Sequence, residues 1–173
     1  MGTVEFLRFA VKQFHERLLD SVRGLNREQL HFRPLGKGNH IAFILWHYVR
    51  TEDGVIHALL QKKTNLWNAE GWDQKFGMDP RAQGTGMSAE QAAAIRIPDL
   101  KEFLPYMRST FQATEAYLET VREEDLDQVG EYPFLGKRCK AEMLGGIILS
   151  HGAGHLGEIC YVRGLLGLKG SPI

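Results

Sequence analysis

His151 and His155 stand four residues apart in the stretch Ser150-His151-Gly152-Ala153-Gly154-His155-Leu156-Gly157-Glu158. On a helix, at about 100° and 1.5 Å per residue, four steps place two imidazoles roughly 40° apart and about 6 Å along the axis, so both can reach one ion. The pair alone is a weak signal, because two histidines four apart arise by chance. Its surroundings strengthen it. Gly145-Gly146-Ile147-Ile148-Leu149 leads in and Ile159, Val162 and Leu165 follow, and an imidazole buried among such residues needs a hydrogen bond or a ligand bond to offset its lost water. His47 occupies a comparable place in the middle of Ile41-Ala42-Phe43-Ile44-Leu45-Trp46-His47-Tyr48-Val49. Two such helices in one bundle supply three neutral nitrogens, and three protein ligands with a free position describe a catalytic metal site better than a closed structural one. Spacing weighs this evenly against satisfied core histidines with no metal.

Glu158 lies three residues past His155 and seven past His151, hence on their face. It reads as a fourth ligand, as a carboxylate orienting a histidine, or as a general base; a solvated or dimer-contact glutamate is the plainer alternative. The other four histidines carry no such pattern: His31 falls in a loop, His40 at a helix start, and His15 and His57 at surface or boundary positions. Gly152, Gly154 and Gly157 each cost about 1 kcal/mol against alanine inside a helix, so their clustering predicts close approach by a neighbour, another helix before a ligand. Cys160, nine residues from His151, faces away from the pair, and Cys139 precedes the helix. Arg50 and Thr51, one turn past His47, are candidates for lining an opening.

The elements that position these residues are helices. Apolar residues recur at helical spacing over about Thr3 to Val22 (Phe6, Phe9, Ala10, Phe14, Leu18), from His40 to about Gln61 behind an Asn39 cap (Ile41, Ile44, Leu45, Tyr48, Val49), over about Asp99 to Val121 (Leu100, Phe103, Met107, Phe111, Thr114, Leu118), and from about Lys140 to Leu165. Glycines 164, 167 and 170 and Pro172 end the last of these. Pro105 sits near the start of the third, where a missing amide is better tolerated. Between the second and third lie roughly 35–40 residues, too many for a hairpin and suited to a bundle with one long crossover. Trp67, Trp72, Phe76 and Met78 predict that residues 64–88 pack over the domain, with Ser88 and Gln91 forming a capping box for a short helix that ends near Ile97-Pro98. Tyr132, Phe134 and Leu135 allow a short extended piece; nothing else reads as a sheet.

At 173 residues, the chain fits a single domain over 1–173 with enough apolar content for a real core. Twenty-one basic and 21 acidic residues leave no net charge, which argues against nucleic-acid partners and against a polybasic membrane anchor. No apolar run approaches the roughly 18–20 residues of a membrane span, and Glu5, Arg8 and Lys12 speak against a signal peptide. Two cysteines make neither a CxxC motif nor a disulfide framework. A reduced, cytoplasmic protein is expected.

Asn39-His40-Ile41-Ala42-Phe43-Ile44-Leu45-Trp46-His47, followed by Glu52-Asp53, resembles the second helix of the DinB-like (YfiT-like) metalloenzymes. His151-Gly152-Ala153-Gly154-His155-Leu156-Gly157-Glu158-Ile159 resembles their last-helix motif. Helix order, size and the long second connection match as well, so the resemblance spans nearly the whole chain. It implies an all-α four-helix bundle with a long crossover between helices two and three. A divalent metal, usually zinc or nickel and with iron as a further candidate, would be held by His47, His151 and His155. It also implies a homodimer. Many members carry glutamine at the position of Glu158 and a further histidine at that of Gly154.

Relatives of this kind include thiol-dependent S-transferases, mycothiol-dependent maleylpyruvate isomerases and hydrolases. The expected function is therefore a transferase acting on a small-molecule substrate through a metal-activated low-molecular-weight thiol, which a metal converts to thiolate near neutral pH, with Glu158 accepting a proton. A hydrolase using a metal-bound water is the alternative with the same ligands. A metal-binding or structural homodimer without turnover, its interface formed by Trp67, Trp72 and Phe76, is the reading from another class.

Overall fold

The computed structural model describes residues 1–171, so Pro172 lies outside the described residues. Helix α1 (Thr3–Val22) is followed by the single turn α2 (Arg27–Leu30). Helix α3 (Ile41–Asp53) continues through a π-helical turn, Gly54–Leu60. The crossover carries α4 (Leu66–Ala69), α5 (Trp72–Phe76) and α6 (Ala89–Ala94), and then comes α7 (Leu100–Thr120). A hairpin of β1 (Val129–Tyr132) and β2 (Gly136–Cys139) precedes the last helical run. That run is α8 (Lys140–Glu142), a π-helical stretch Met143–Ser150, and α9 (His151–Leu165). Helices α1 and α3 each pack on both α7 and α9, so α1 and α3 stand across the bundle's diagonal.

The stripe on α7 is buried at every position the periodicity names, and Asp99 caps the helix by accepting the Lys101 amide at 2.8 Å. On α3 the cap is His40, not Asn39: its Nδ1 accepts the Phe43 amide at 3.0 Å. On α1 the inward face differs from the expected one. Val4, Leu7, Val11, Phe14 and Leu18 are buried, whereas Phe6 and Phe9 stand 48% and 59% exposed. Both sets have helical spacing, but the first continues apolar along the whole helix, while the row of Phe6 and Phe9 runs on into Gln13 and Arg17.

The crossover packs as its aromatics predict. Trp67 is fully buried, edge-on to Trp46 and Tyr106 and stacked on Phe76. Its anchor is Asp53, a fully buried carboxylate at the end of α3. Asp53 accepts the Leu66 and Trp67 amides and the Tyr106 hydroxyl, each at 2.9 Å, with His57 Nδ1 at 2.8 Å. Burial would raise its pKa, but His57, the two amides and Tyr106 outweigh that and hold it below the usual value. The capping box of Ser88 and Gln91 forms as expected, although its helix stops at Ala94. The extended piece is a two-stranded hairpin that places Tyr132 in the core. Phe134 sits in its turn rather than in a strand, fully exposed and at φ 64°.

Of the glycines around the histidine pair, only Gly152 is closely packed. A Cβ there would lie 2.6 Å from Phe14 Cζ and 2.7 Å from Tyr48 Cε2, whereas Gly154 and Gly157 would meet nothing within 4 Å. The close approach expected of all three therefore holds for one. Gly152→Ala should destabilise, because overpacking of about 1–3 kcal/mol exceeds the gain in helix propensity of about 1 kcal/mol. Gly157→Ala, with that gain unopposed, should stabilise by about 1 kcal/mol. Urea unfolding of both variants beside wild type measures the contrast, and equal signs would overturn it.

Candidate metal centre

Helix α3 presents His47 from its middle, and α9 presents His151 and His155 from its first two turns. The ring centroids lie 5.4 Å (His47–His151), 5.0 Å (His47–His155) and 4.3 Å (His151–His155) apart. One nitrogen from each falls within 4.8 Å of the other two, a grouping that could hold a metal ion. Gly152 makes this convergence possible, since it lets α9 settle onto Phe14 and Tyr48 one residue beyond His151.

Hydrogen bonds on the outer nitrogens fix the tautomers. His47 Nδ1 meets the Gln83 carbonyl, which can only accept, so the proton sits on Nδ1 and Nε2 offers a lone pair. His155 Nδ1 lies 2.8 Å from Glu158 Oε2. The Glu158 pKa is held down chiefly by this hydrogen bond, so the carboxylate accepts and the Nδ1 proton is His155's own.

His151 Nε2 stands 2.9 Å from His155 Nε2. His151 Nδ1 is buried without a hydrogen bond of normal geometry, facing the Ile147 carbonyl. With both rings neutral, a proton on His151 Nε2 would satisfy His155 but leave the Nδ1 lone pair against an oxygen. A proton on Nδ1 would suit Ile147 but set two lone pairs against each other. Positive charge between the rings removes the conflict, whether a second proton on His155 or a cation among the three Nε2 atoms, and the donor set fits a divalent metal. Tetrahedral ligands at about 2.0–2.1 Å from zinc are about 3.3–3.4 Å apart, a small opening of the present pair. Burial, then the neighbouring His155 and His47, pushes the His151 pKa down to about 4. Burial also lowers that of His47. Both are neutral, as ligands must be, at ordinary pH.

Glu158 stands outside this ring of nitrogens, its side chain 53% exposed. Arg50 is buried and donates from Nε and NH2 to the Ala82 and Pro80 carbonyls at 3.2 Å each. Thr51 Oγ1 donates back to the His47 carbonyl at 2.8 Å. Cys139 and Cys160 are free and not part of the cluster.

The sequence reading missed the clamp on His47. Gly84, at φ +98°, lies so close that a Cβ would stand 2.7 Å from His47 Nδ1, so only glycine lets the loop press there. The alternating glycines of Gly84-Thr85-Gly86 were its only signal. His15 and His57, expected at surface or boundary positions, are both buried, as is His40 at the helix start where it was expected. His15 Nε2 meets Glu52 at 2.9 Å and its Nδ1 meets Glu115 at 2.8 Å. Glu52 also accepts the Tyr48 and Thr114 hydroxyls.

A family model described as the DinB superfamily matches residues 10–159. Among solved structures, a conserved protein from Enterococcus faecalis is similar, with a TM-score of 0.81 and 20% identity over 96% of this chain and 99% of that one. At that identity the likeness shows the fold. No curated protein matches. Among the described residues, no helix is long and apolar enough to cross a membrane.

Proposed function

The chain belongs to the DinB superfamily, and from that premise we propose that it is a divalent-metal-dependent transferase acting through a low-molecular-weight thiol. His47, His151 and His155 hold the metal, zinc or nickel before iron. The observation that carries this reading is the convergence of three histidine nitrogens within 4.8 Å of one another, with the outer nitrogens of His47 and His155 held by oxygen acceptors. A divalent ion there supplies the positive charge that lowers the pKa of a thiol or water beside it. Three protein ligands leave room for such a molecule.

The chain's own residues orient and exchange protons. The Gln83 carbonyl and Gly84 fix the His47 ring, and ionised Glu158 fixes His155. We assign Glu158 as the site's proton acceptor as well, because it is charged and half exposed to solvent. A homodimer is the assembly we propose, with exposed Phe6 and Phe9 on α1 and Tyr161 and Leu165 on α9 as apolar surface to cover. Two free cysteines suit the cytoplasm.

The test is turnover of monochlorobimane with cysteine, glutathione or coenzyme A by zinc- or nickel-loaded protein. A thiol-dependent rate above background is expected. It should be lost in His151→Ala and fall about a hundredfold in Glu158→Gln, the size of a general-base contribution. Metal-depleted protein reacting equally fast would overturn the reading. Hydrolysis of ester or amide substrates without thiol would assign the hydrolase, and inactivity across both panels would leave a metal-binding dimer.

A further inference from the structure

One turn along α3 from His47 the bundle holds a cavity of about 460 Å³. Its floor is the π-helical turn after α3, with Val55, Ala58 and Leu59, together with Ile147 from the last helical run. The hairpin turn at Pro133, Phe134 and Leu135 covers it from one side. The loop that clamps His47 closes another, with Gln83 and Thr85 both on the wall. The volume lies in the range of small-molecule sites, about 300–1,000 Å³.

Two features define what fits. The body of the cavity is apolar, and among the described residues no carboxylate side chain lines it; its charged lining residues are Arg50 and Arg81. Arg50 is built into the wall by its bonds to the Pro80 and Ala82 carbonyls, with NH1 3.7 Å from Asp53 Oδ2. Asp53 itself is committed behind it to His57, Tyr106 and two amides. Arg81 is 92% exposed at the rim, with Asp79 3.8 Å away. Each guanidinium thus has an aspartate near it, and what the wall offers an anion is N–H donors, Arg50 NH1 among them, which is buried without a hydrogen bond. The second feature is Phe134, a fully exposed aromatic ring at a left-handed backbone position, φ 64°, on the tip of the turn. Such a position costs on the order of 1–3 kcal/mol, and strain of that kind recurs at ligand clamps.

We propose that this cavity binds an organic anion with an apolar body, an aryl or branched-chain carboxylate or sulfonate. The apolar part lies between Leu59, Ile147 and Phe134, and the charge faces the two arginines. Such a ligand touches the loop whose Gln83 carbonyl and Gly84 hold His47. As the substrate pocket of the metal centre, this assignment rests on the enzyme reading above; as a binding site, it stands without it.

The experiment titrates 8-anilinonaphthalene sulfonate into the full chain, chelator-treated and zinc-loaded, following the dye's fluorescence. Displacement is then compared among 4-phenylbutyrate, 4-phenylbutanol and 4-phenylbutylamine, which share a body and differ in charge. Saturable binding is expected with or without metal. Phenylbutyrate should displace the dye at roughly tenfold lower concentration than the amine, the size of one charge contact near a surface. Ala58→Trp, which fills the cavity, should weaken binding about tenfold or more with metal content unchanged. Phe134→Ser, on an exposed tip that cannot unfold the bundle, should weaken it several-fold.

Unsaturable binding, equal displacement by acid and amine, or unchanged affinity in both variants would overturn the site. Intact binding in a protein inactive with every electrophile would sink the enzyme reading alone. Thiol turnover whose KM and kcat ignore both variants would sink the pocket's role as substrate site and leave the enzyme reading standing.

Discussion

Chelator-free preparations of the wild-type chain are expected to carry about one equivalent of zinc, nickel or iron, and His47→Ala, His151→Ala and His155→Ala to carry none, for reasons of lone-pair geometry. Complete zinc sites bind with roughly 10–16 kcal/mol, so one ligand of four is worth about 3–4 kcal/mol, a loss of about 10²–10³ in affinity. Glu158→Gln should weaken binding less, about tenfold, because an amide oxygen still accepts the His155 Nδ1 proton without the charge. Elemental analysis gives the stoichiometry, and circular dichroism of each variant separates lost metal from lost fold. A wild type that contains no metal and takes up none would return the three histidines to an ordinary polar core. So would a variant that keeps a full equivalent. Which ion is bound is a weaker discriminator, since imidazole sites follow the general rise in affinity towards copper and supply decides the rest.

The meeting of the three histidines was legible because each lies on an apolar helix. His151 and His155 share one face of one helix, and His47 sits mid-way along an apolar helix, so helical periodicity brings them inward. Helix α7 was equally legible, with one continuous stripe and an aspartate at its start. Where two apolar rows compete, as on α1, periodicity does not choose between them; the partner helices do, by rewarding the row that stays apolar from Val4 to Leu18. The hairpin hides for another reason. Residues Val129, Gly130, Lys137 and Arg138 have no apolar alternation, and the strands exist because Tyr132 anchors the turn in the core. The buried charges were the least visible. His15 reads as a surface residue until Glu52 and Glu115, 37 and 100 positions away, arrive beside it. Glu52-Asp53 belongs to the resemblance to the family's second helix, but nothing local says that both acids point into the bundle.

That buried network yields the second large effect. His15 comes from α1, Glu52 and Tyr48 from α3, and Thr114 and Glu115 from α7, while the Tyr48 hydroxyl also lies 3.1 Å from the Ile148 carbonyl of the last helical run. The His15 ring stacks on Phe111 at 3.9 Å between centroids. Burial alone would strip the ring of its proton, but Glu52 and Glu115 together reverse that and raise its pKa to about 9. A raised pKa stabilises the fold fully below the unfolded value, near 6.5, and that contribution disappears as pH climbs through about 9. The shift corresponds to about 3 kcal/mol.

Metal-free protein should therefore lose stability on that scale between pH 6.5 and 9.5 in urea unfolding, whereas His15→Gln should start lower and stay flat. Glu52→Gln should cost about 3–5 kcal/mol near neutral pH, because it leaves a buried cation with one exposed partner. A flat wild-type profile, or a slope that survives in His15→Gln, would mean the ring is neutral in the fold. The four helical runs would then be joined at this point by ordinary hydrogen bonds rather than by a buried ion pair. Chelator treatment matters, since bound metal adds its own pH-dependent stabilisation and would mask the slope.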